Sequence, residues 1–164
     1  MFPVRLRLAT EQDLPAIVDL WLRMMREHED FEERLELTNL APAAYQSYLL
    51  LHSGKPNSHI AVAENDEGIQ GFCCAYVSQN LPMFAPQQFG YISDLFVVPP
   101  FRGQGIGTQL LNHAREWFVR RGIRNMQVQV YSHNENGLGF WKARGFTPFF
   151  QRMWLDVEDK DAHG

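Results

Sequence analysis

Seven residues, Arg102-Gly103-Gln104-Gly105-Ile106-Gly107-Thr108, constrain this chain more than any other stretch. They follow an apolar run that ends in Pro99-Pro100 and lead into Ile106, Leu110, Leu111, Ala114, Trp117, Phe118 and Val119, an apolar series at helical spacing. Three glycines at alternate positions remove the Cβ atoms that would keep an anion away from the backbone. A helix opening behind them turns its first N–H groups and its positive end on the same point. Two familiar phosphate loops do not fit. A dinucleotide fingerprint would need its third glycine at Thr108 and an acidic residue about 20 residues on. A P-loop needs a lysine, and none stands between Lys55 and Lys142.

Around the turn, the apolar pattern alternates between the two periods of regular structure. Val4, Leu6 and Leu8 predict a first strand, and Thr10 with Asp13 forms a capping box ahead of a helix that runs to about His28. A second helix opens at Ala41-Pro42 and ends at Ser53-Gly54-Lys55-Pro56. Runs 59–64 and 69–78, joined by Asn65-Asp66-Glu67-Gly68, read as a hairpin, and 89–98 as the strand leading to the glycine turn. The prolines of Leu81-Pro82-Met83-Phe84-Ala85-Pro86 make that segment an unusually apolar loop. After Gly122 come a strand at 126–131, a short helix at 134–143, one more strand at 149–157 and a polar tail from about residue 158. The order β-α-α-β-β-β-α-β-α-β predicts an α+β fold, a mixed, mostly antiparallel sheet flanked by helices, in a single domain spanning 1–164.

Arg-x-x-Gly-x-Gly between an apolar strand and a long helix resembles the pyrophosphate loop of the GNAT superfamily of acetyl-CoA-dependent N-acetyltransferases. A second segment, Asn134 to Phe146, is similar to that family's Asn-x-x-Ala-x-x-Phe-Tyr-x-x-x-Gly-Phe pattern, and the element order matches over nearly the whole chain. The resemblance implies acetyl-CoA as the acyl-donor cosubstrate. It implies that the backbones of Leu95, Phe96 and Val97 pair with the pantetheine arm beside a bulge. Arg102, Gly103, Gln104, Gly105, Ile106, Gly107 and Thr108 would then hold the pyrophosphate, with Asn134, Gly137 and Trp141 lining the arm and the thioester.

Several of these residues have a second reading. Asn134 also suits a helix N-cap. Arg102 either pairs with pyrophosphate or solubilises the turn, and a cation at a helix N-terminus favours the former. Asp94, the carboxylate nearest the opening, is the candidate catalytic base, acting through water, or else a tether for the bulged backbone. Where the family often has tyrosine as general acid, this chain has Trp141, whose indole cannot serve. Tyr131 is the candidate phenol, with core packing and protonation by water as alternatives. Glu27, Glu29, Asp30, Glu32, Glu33 and Glu36 form either an acidic rim for a cationic amine or a solvated helix end.

Composition narrows the partners. A net charge of −4 over 164 residues argues against nucleic acid, and no apolar run approaches a membrane span. Adjacent Cys73 and Cys74 point to opposite faces of a strand and read as reduced core thiols, with no metal-ligand spacing nearby. The expectation is a cytoplasmic enzyme that acetylates the amine of a small molecule by direct attack in a ternary complex. The apolar loop and C-terminal strand point to a homodimer. Two alternatives stand beside it: an acyl-CoA-binding sensor without turnover, and a protein or peptide N-acetyltransferase.

Overall fold

The computed structural model describes residues 3–157, so the polar tail expected from about residue 158 lies outside them. Five strands, β1 (Arg5–Leu8), β2 (Ser58–Asn65), β3 (Gly68–Gln79), β4 (Gln88–Val97) and β5 (Met126–Val128), form one sheet in chain order. All neighbours are antiparallel except β4 and β5, whose parallel pairing requires the crossover through a helix. Helices α1 (Leu14–Glu29) and α2 (Ala41–His52) cover one face, and α3 (Ile106–Arg120) and α4 (Glu135–Lys142) the other.

Alternation along the strands builds two cores from one sheet. Ile60, Val62, Phe72, Cys74 and Phe96 pack under α1 and α2 with Leu14, Ile17 and Leu49. Ala61, Ala63, Cys73, Ala75 and Ile92 face α3, and their small size leaves room for Leu110, Leu111 and Phe118 of that helix. Cys73 and Cys74 do fall on opposite faces, both buried and free.

Two expectations need correction. The strand after α3 stops at Val128 and does not reach Tyr131, because β4 pairs with it only over Gly90–Ile92 before bulging away. The strand expected at 149–157 is not formed, and the described elements end at α4. Pro148 has no N–H to donate, and the apolar side chains that prompted the expectation, Phe149, Met153, Leu155 and Val157, are at least 80% exposed. Without a ladder partner, β-rich composition alone does not make a strand.

One ion-pair network ties the first strand down. Arg7 makes two hydrogen bonds to Asp13, at 2.7 and 2.9 Å, and one to Glu64 at 2.6 Å, while Arg5 holds Glu64 from the other side. Asp13 also accepts from the backbone N–H of Thr10, completing the capping box. The guanidinium contacts hold Asp13 well below the carboxylate range and Glu64 at about 2. Both native carboxylates therefore bind protons less readily than in the unfolded chain. Their stabilisation is complete above about pH 5, begins to fall in the unfolded carboxylate range and is lost as pH drops through the lowered native values. Arg7→Gln should lower the urea midpoint at pH 7 and have much less effect at about pH 2, where the native carboxylates protonate. Equal losses at both values would show that the network is not what couples stability to pH.

Candidate active site

The cleft begins at a fault in the sheet. Cys74 stands opposite Asp94 but Ala75 opposite Ile92, so Ser93 is an extra residue in β4. Beyond this bulge β4 has no strand partner on its outer side among the described residues, since its ladder with β5 covers only three residue pairs. Leu95, Phe96 and Val97 thus present an unpaired strand edge, the geometry that an amide-bearing arm can complete by β-type hydrogen bonds. Phe96 and Val97 are buried by their side chains, so the edge offers backbone groups, of which the Val97 carbonyl already accepts from Arg102.

At the end of that edge the chain enters the glycine turn, and the three glycines do different work. Gly103 and Gly105 have φ of +75° and +82°, a backbone region that side-chain-bearing residues avoid, and no protein atom lies closer than 4.0 Å to the place of an added Cβ at either. Gly105 is the N-cap of α3, with no side chain capping the helix, so the first N–H groups are left for an external acceptor. Gly107 has ordinary backbone geometry, and a Cβ there would meet the Phe140 ring at 3.1 Å. Its smallness lets α4 approach α3, a packing role that alternate spacing alone had attributed to phosphate access. Gln104 turns its side chain back to the Pro100 carbonyl, Ile106 is buried, and the Thr108 hydroxyl accepts from the Arg144 guanidinium at 2.6 and 3.0 Å.

Arg144 was not singled out from sequence, although it lies within the segment 134–146. Its guanidinium is 3.7 Å from the Phe140 ring centre and donates to the Phe140 carbonyl. A cation held at the first turn of a helix opposes the helix dipole unless an anion joins it, so Arg144 adds to the case for an anion here. Arg102, the cation expected in that role, donates to the Val97 carbonyl at 2.7 Å and to both oxygens of Glu27 in α1, at 2.8 and 3.0 Å.

Across the cleft, Asn134 caps α4 by accepting from the Gly137 N–H at 2.8 Å, and a Cβ at Gly137 would collide with the Asn134 carboxamide. Trp141 is buried, edge-on to Phe140 and Phe146, which makes it a packing residue. Tyr131 lies past the end of β5, 42% exposed, with its ring 5.6 Å from that of His28. Partial burial and the charge of Glu32 push its phenol up, so it is a protonated donor at neutral pH.

Asp94 occupies the bulge, half-buried under α1 and α2. Its carboxylate accepts from the Ser93 hydroxyl at 2.9 Å and the Tyr45 hydroxyl at 3.1 Å, and the nearby Trp21 indole also favours its ionised form. Tyr48 donates to Ser93 at 2.9 Å. Burial raises the Asp94 carboxyl above its ordinary range, and the hydrogen bonds from Ser93 and Tyr45, with the Trp21 indole, oppose the rise. Burial also pushes the Tyr45 and Tyr48 phenols far up, so both stay protonated. Among the described residues Asp94 has no cation within ion-pair distance, whereas Glu27 is taken by Arg102 and Glu32 by Arg34. Trp21, Tyr45 and Tyr48 stand at apolar spacing on α1 and α2, and sequence reasoning does not single them out. The signal available in sequence is that two phenols and an indole on the inward faces of two helices need polar partners. No group of three or more potential metal ligands is gathered among the described residues.

An open strand edge, a bare helix N-terminus behind two left-handed glycines, and a carboxylate at the bulge thus follow one another along β4 and into α3. Residues 15–146 match the model of the acetyltransferase (GNAT) family, and the chain belongs to that family. It is 27% identical over 143 residues to an N-acetyltransferase of Archaeoglobus fulgidus, covering 86% of this chain and 91% of that protein. It is 44% identical over 55 residues to one of Methanocaldococcus jannaschii, covering 34% of this chain and 24% of that protein. An L-ornithine N5-acetyltransferase of Arabidopsis thaliana shares 31% identity over 85 residues, 52% of this chain and 36% of that enzyme. The chain thus spans about nine-tenths of the first relative and far less of the other two. A predicted acetyltransferase of Clostridium acetobutylicum, solved with acetyl-CoA, superposes with a TM-score of 0.76 at 19% identity, covering 94% and 96% of the two chains. The described residues therefore form an N-acetyltransferase domain whose acyl donor is acetyl-CoA.

The different duties of the glycines can be separated by experiment. Gly107→Val should destabilise the fold by about 1–3 kcal/mol through overpacking against Phe140, and Phe140→Ala in the same chain should recover part of that loss. Gly105→Ala should cost about 1 kcal/mol from its left-handed backbone and gain nothing from Phe140→Ala. Thermal denaturation of the single and double variants decides it. Equal rescue in both would remove the distinction.

Proposed function

We propose that this domain moves the acetyl group of acetyl-CoA to the primary amine of a small molecule, by direct attack within a ternary complex. The observation that carries the proposal is the position of Asp94: an unpaired carboxylate, raised by burial, at the bulge where the strand edge opens. In this reading Asp94 takes the proton from the incoming ammonium through water, and its elevated basicity suits it to that task near neutral pH. Tyr45, Ser93 and Trp21 hold the carboxylate in place. The Leu95–Val97 backbone and the turn at 102–108, with Arg144 beside it, hold the donor. Asn134, Gly137 and Trp141 support α4 against the loop. Tyr131, protonated at neutral pH, or water returns a proton to the departing thiolate. His28, Phe31 and Glu32 border the acceptor side near Tyr131. The ornithine-acetylating relative supports a small amine as acceptor.

Release of free thiol from acetyl-CoA should rise above background with small amines and diamines. Thiol release with peptide N-termini alone would overturn the small-molecule assignment. Asp94→Asn should lower kcat at neutral pH by about 10²–10⁴-fold, with partial recovery at high pH where the free amine forms unaided. Unchanged kcat across the pH range would make Asp94 a backbone tether. Tyr45→Phe removes a bond that favours the ionised carboxylate, so the acid limb of the kcat profile should move to higher pH. A shift to lower pH would contradict the geometry.

We further propose a homodimer and a cytoplasmic location. Leu81, Met83 and Phe84 of the proline-rich loop, with Phe149, Phe150, Met153, Trp154, Leu155 and Val157, are all more than half exposed, an apolar surface of the kind a second copy covers. Two free buried thiols fit a reducing compartment, and no helix among the described residues is long and apolar enough to cross a membrane. Light scattering should return twice the chain mass, and Trp154→Glu should lower it. A monomer at every concentration would remove the dimer.

A further inference from the structure

A second site lies at the opposite end of α3 from the glycine turn, about 22 Å away at 1.5 Å per residue. Here β1 has ended: Leu8 pairs with Ala61, the Ala9 N–H reaches the Ile60 carbonyl, and Ser58 and His59 have no β1 residue beside them. A cavity of about 420 Å³ fills the corner between the start of β2, the turn after α2 and the last turns of α3. That volume is within the range of small-molecule sites.

Its lining is chemically one-sided. Every ionisable side chain in the wall is a cation or an imidazole, Lys55, Arg120, Arg121, His52, His59 and His113, and no carboxylate is among them. The whole chain carries 19 acidic residues against 15 lysines and arginines, so this concentration runs against its overall charge. The negative end of α3 accounts for Arg120 and Arg121. It does not account for Lys55, on another element, or for the two histidines, which bond to each other at 2.9 Å. Arg120 comes no nearer than 4.0 Å to Glu116, and Lys55 makes no ion pair among the described residues. Burial first, and then the charges of His113, Arg120 and Arg121, lower His59 to about 4, so it is a neutral imidazole near pH 7 and the cations of the wall are the lysine and the arginines.

We propose that this cavity binds a small polyanion, a metabolite carrying two or more phosphate or carboxylate groups. Charge, not ring stacking, is the recognition element. The Trp117 ring is already stacked with His59 at 5.1 Å and covered by Arg121 at 4.7 Å, leaving no free face for a base. Guanidinium and ammonium groups on separate elements suit a ligand that bridges them. The site is independent of the transfer reaction and uses none of its residues.

Pyrophosphate and citrate, titrated separately at constant ionic strength into protein saturated with coenzyme A so that the glycine turn is filled, test the proposal. The readouts are the Trp117 indole and the His59 and His113 imidazole resonances. One or both probes should bind saturably with Kd below about 1 mM, and the His59 pKa should rise as the anion offsets its cationic neighbours. Pyrophosphate alone would identify phosphate, and citrate alone carboxylate. Lys55→Gln and Arg121→Gln should each weaken binding about tenfold, as expected for one charge-assisted contact, while leaving coenzyme A affinity unchanged as the check on folding. Shifts that never saturate and are matched by sodium chloride would overturn the proposal. So would saturable binding that both folded variants retain in full.

Discussion

The extra residue at Ser93 is the constraint on which the rest of the site depends. Inserting one residue into β4 ends its pairing with β5 after three residue pairs and leaves an unpaired edge from Asp94 to Val97. The same insertion brings Ser93 and Asp94 side by side under α1 and α2, where Tyr45 and Tyr48 can reach them. A regular strand would have given β5 a full ladder and left no edge for the pantetheine arm. The sheet gives up hydrogen bonds at one place, and that place is where acetyl-CoA can supply them.

Charge pairing around the cleft sorts the carboxylates. Six acidic residues cluster at the end of α1 and just beyond, which suggests a broadly attractive rim. Glu27 is nevertheless committed to Arg102, and Arg34 holds Glu32 at about 2. Asp94 is held differently, by neutral hydroxyls and an indole that orient it without fixing it as a permanent anion. A carboxylate with a cationic partner is a weak base, whereas one with hydroxyl partners and raised affinity for protons can exchange them.

What the sequence made legible was local. The glycine turn, the capping box at Thr10 and Asp13, the opposed faces of Cys73 and Cys74 and the boundaries of α2 all follow from residues within one or two turns of each other. The bulge was expected only through the family resemblance, because apolar alternation does not mark it. Contacts between distant segments stayed hidden: Arg102 with Glu27, 75 residues apart, and Tyr45 with Asp94, 49 apart. The packing of Gly107 against Phe140 stays hidden too, because its neighbour comes from another helix. At residues 149–157 composition favoured a strand, but no sheet edge took it up.

Because the strands stand in the sheet in the order in which they occur in the chain, β1 to β4 can be laid down by hairpins and one helical excursion, each joining its predecessor. Only β5 must travel over α3 to add in parallel, and it is held by the shortest ladder of the sheet, three residue pairs against four between β1 and β2. Local opening should therefore begin at that seam, with the other four strands intact. The proposed cofactor cleft thus lies along the least cooperative joint of the fold. Backbone amide exchange at Met126–Val128 would then report on how firmly the occupied cleft is closed, independently of catalysis.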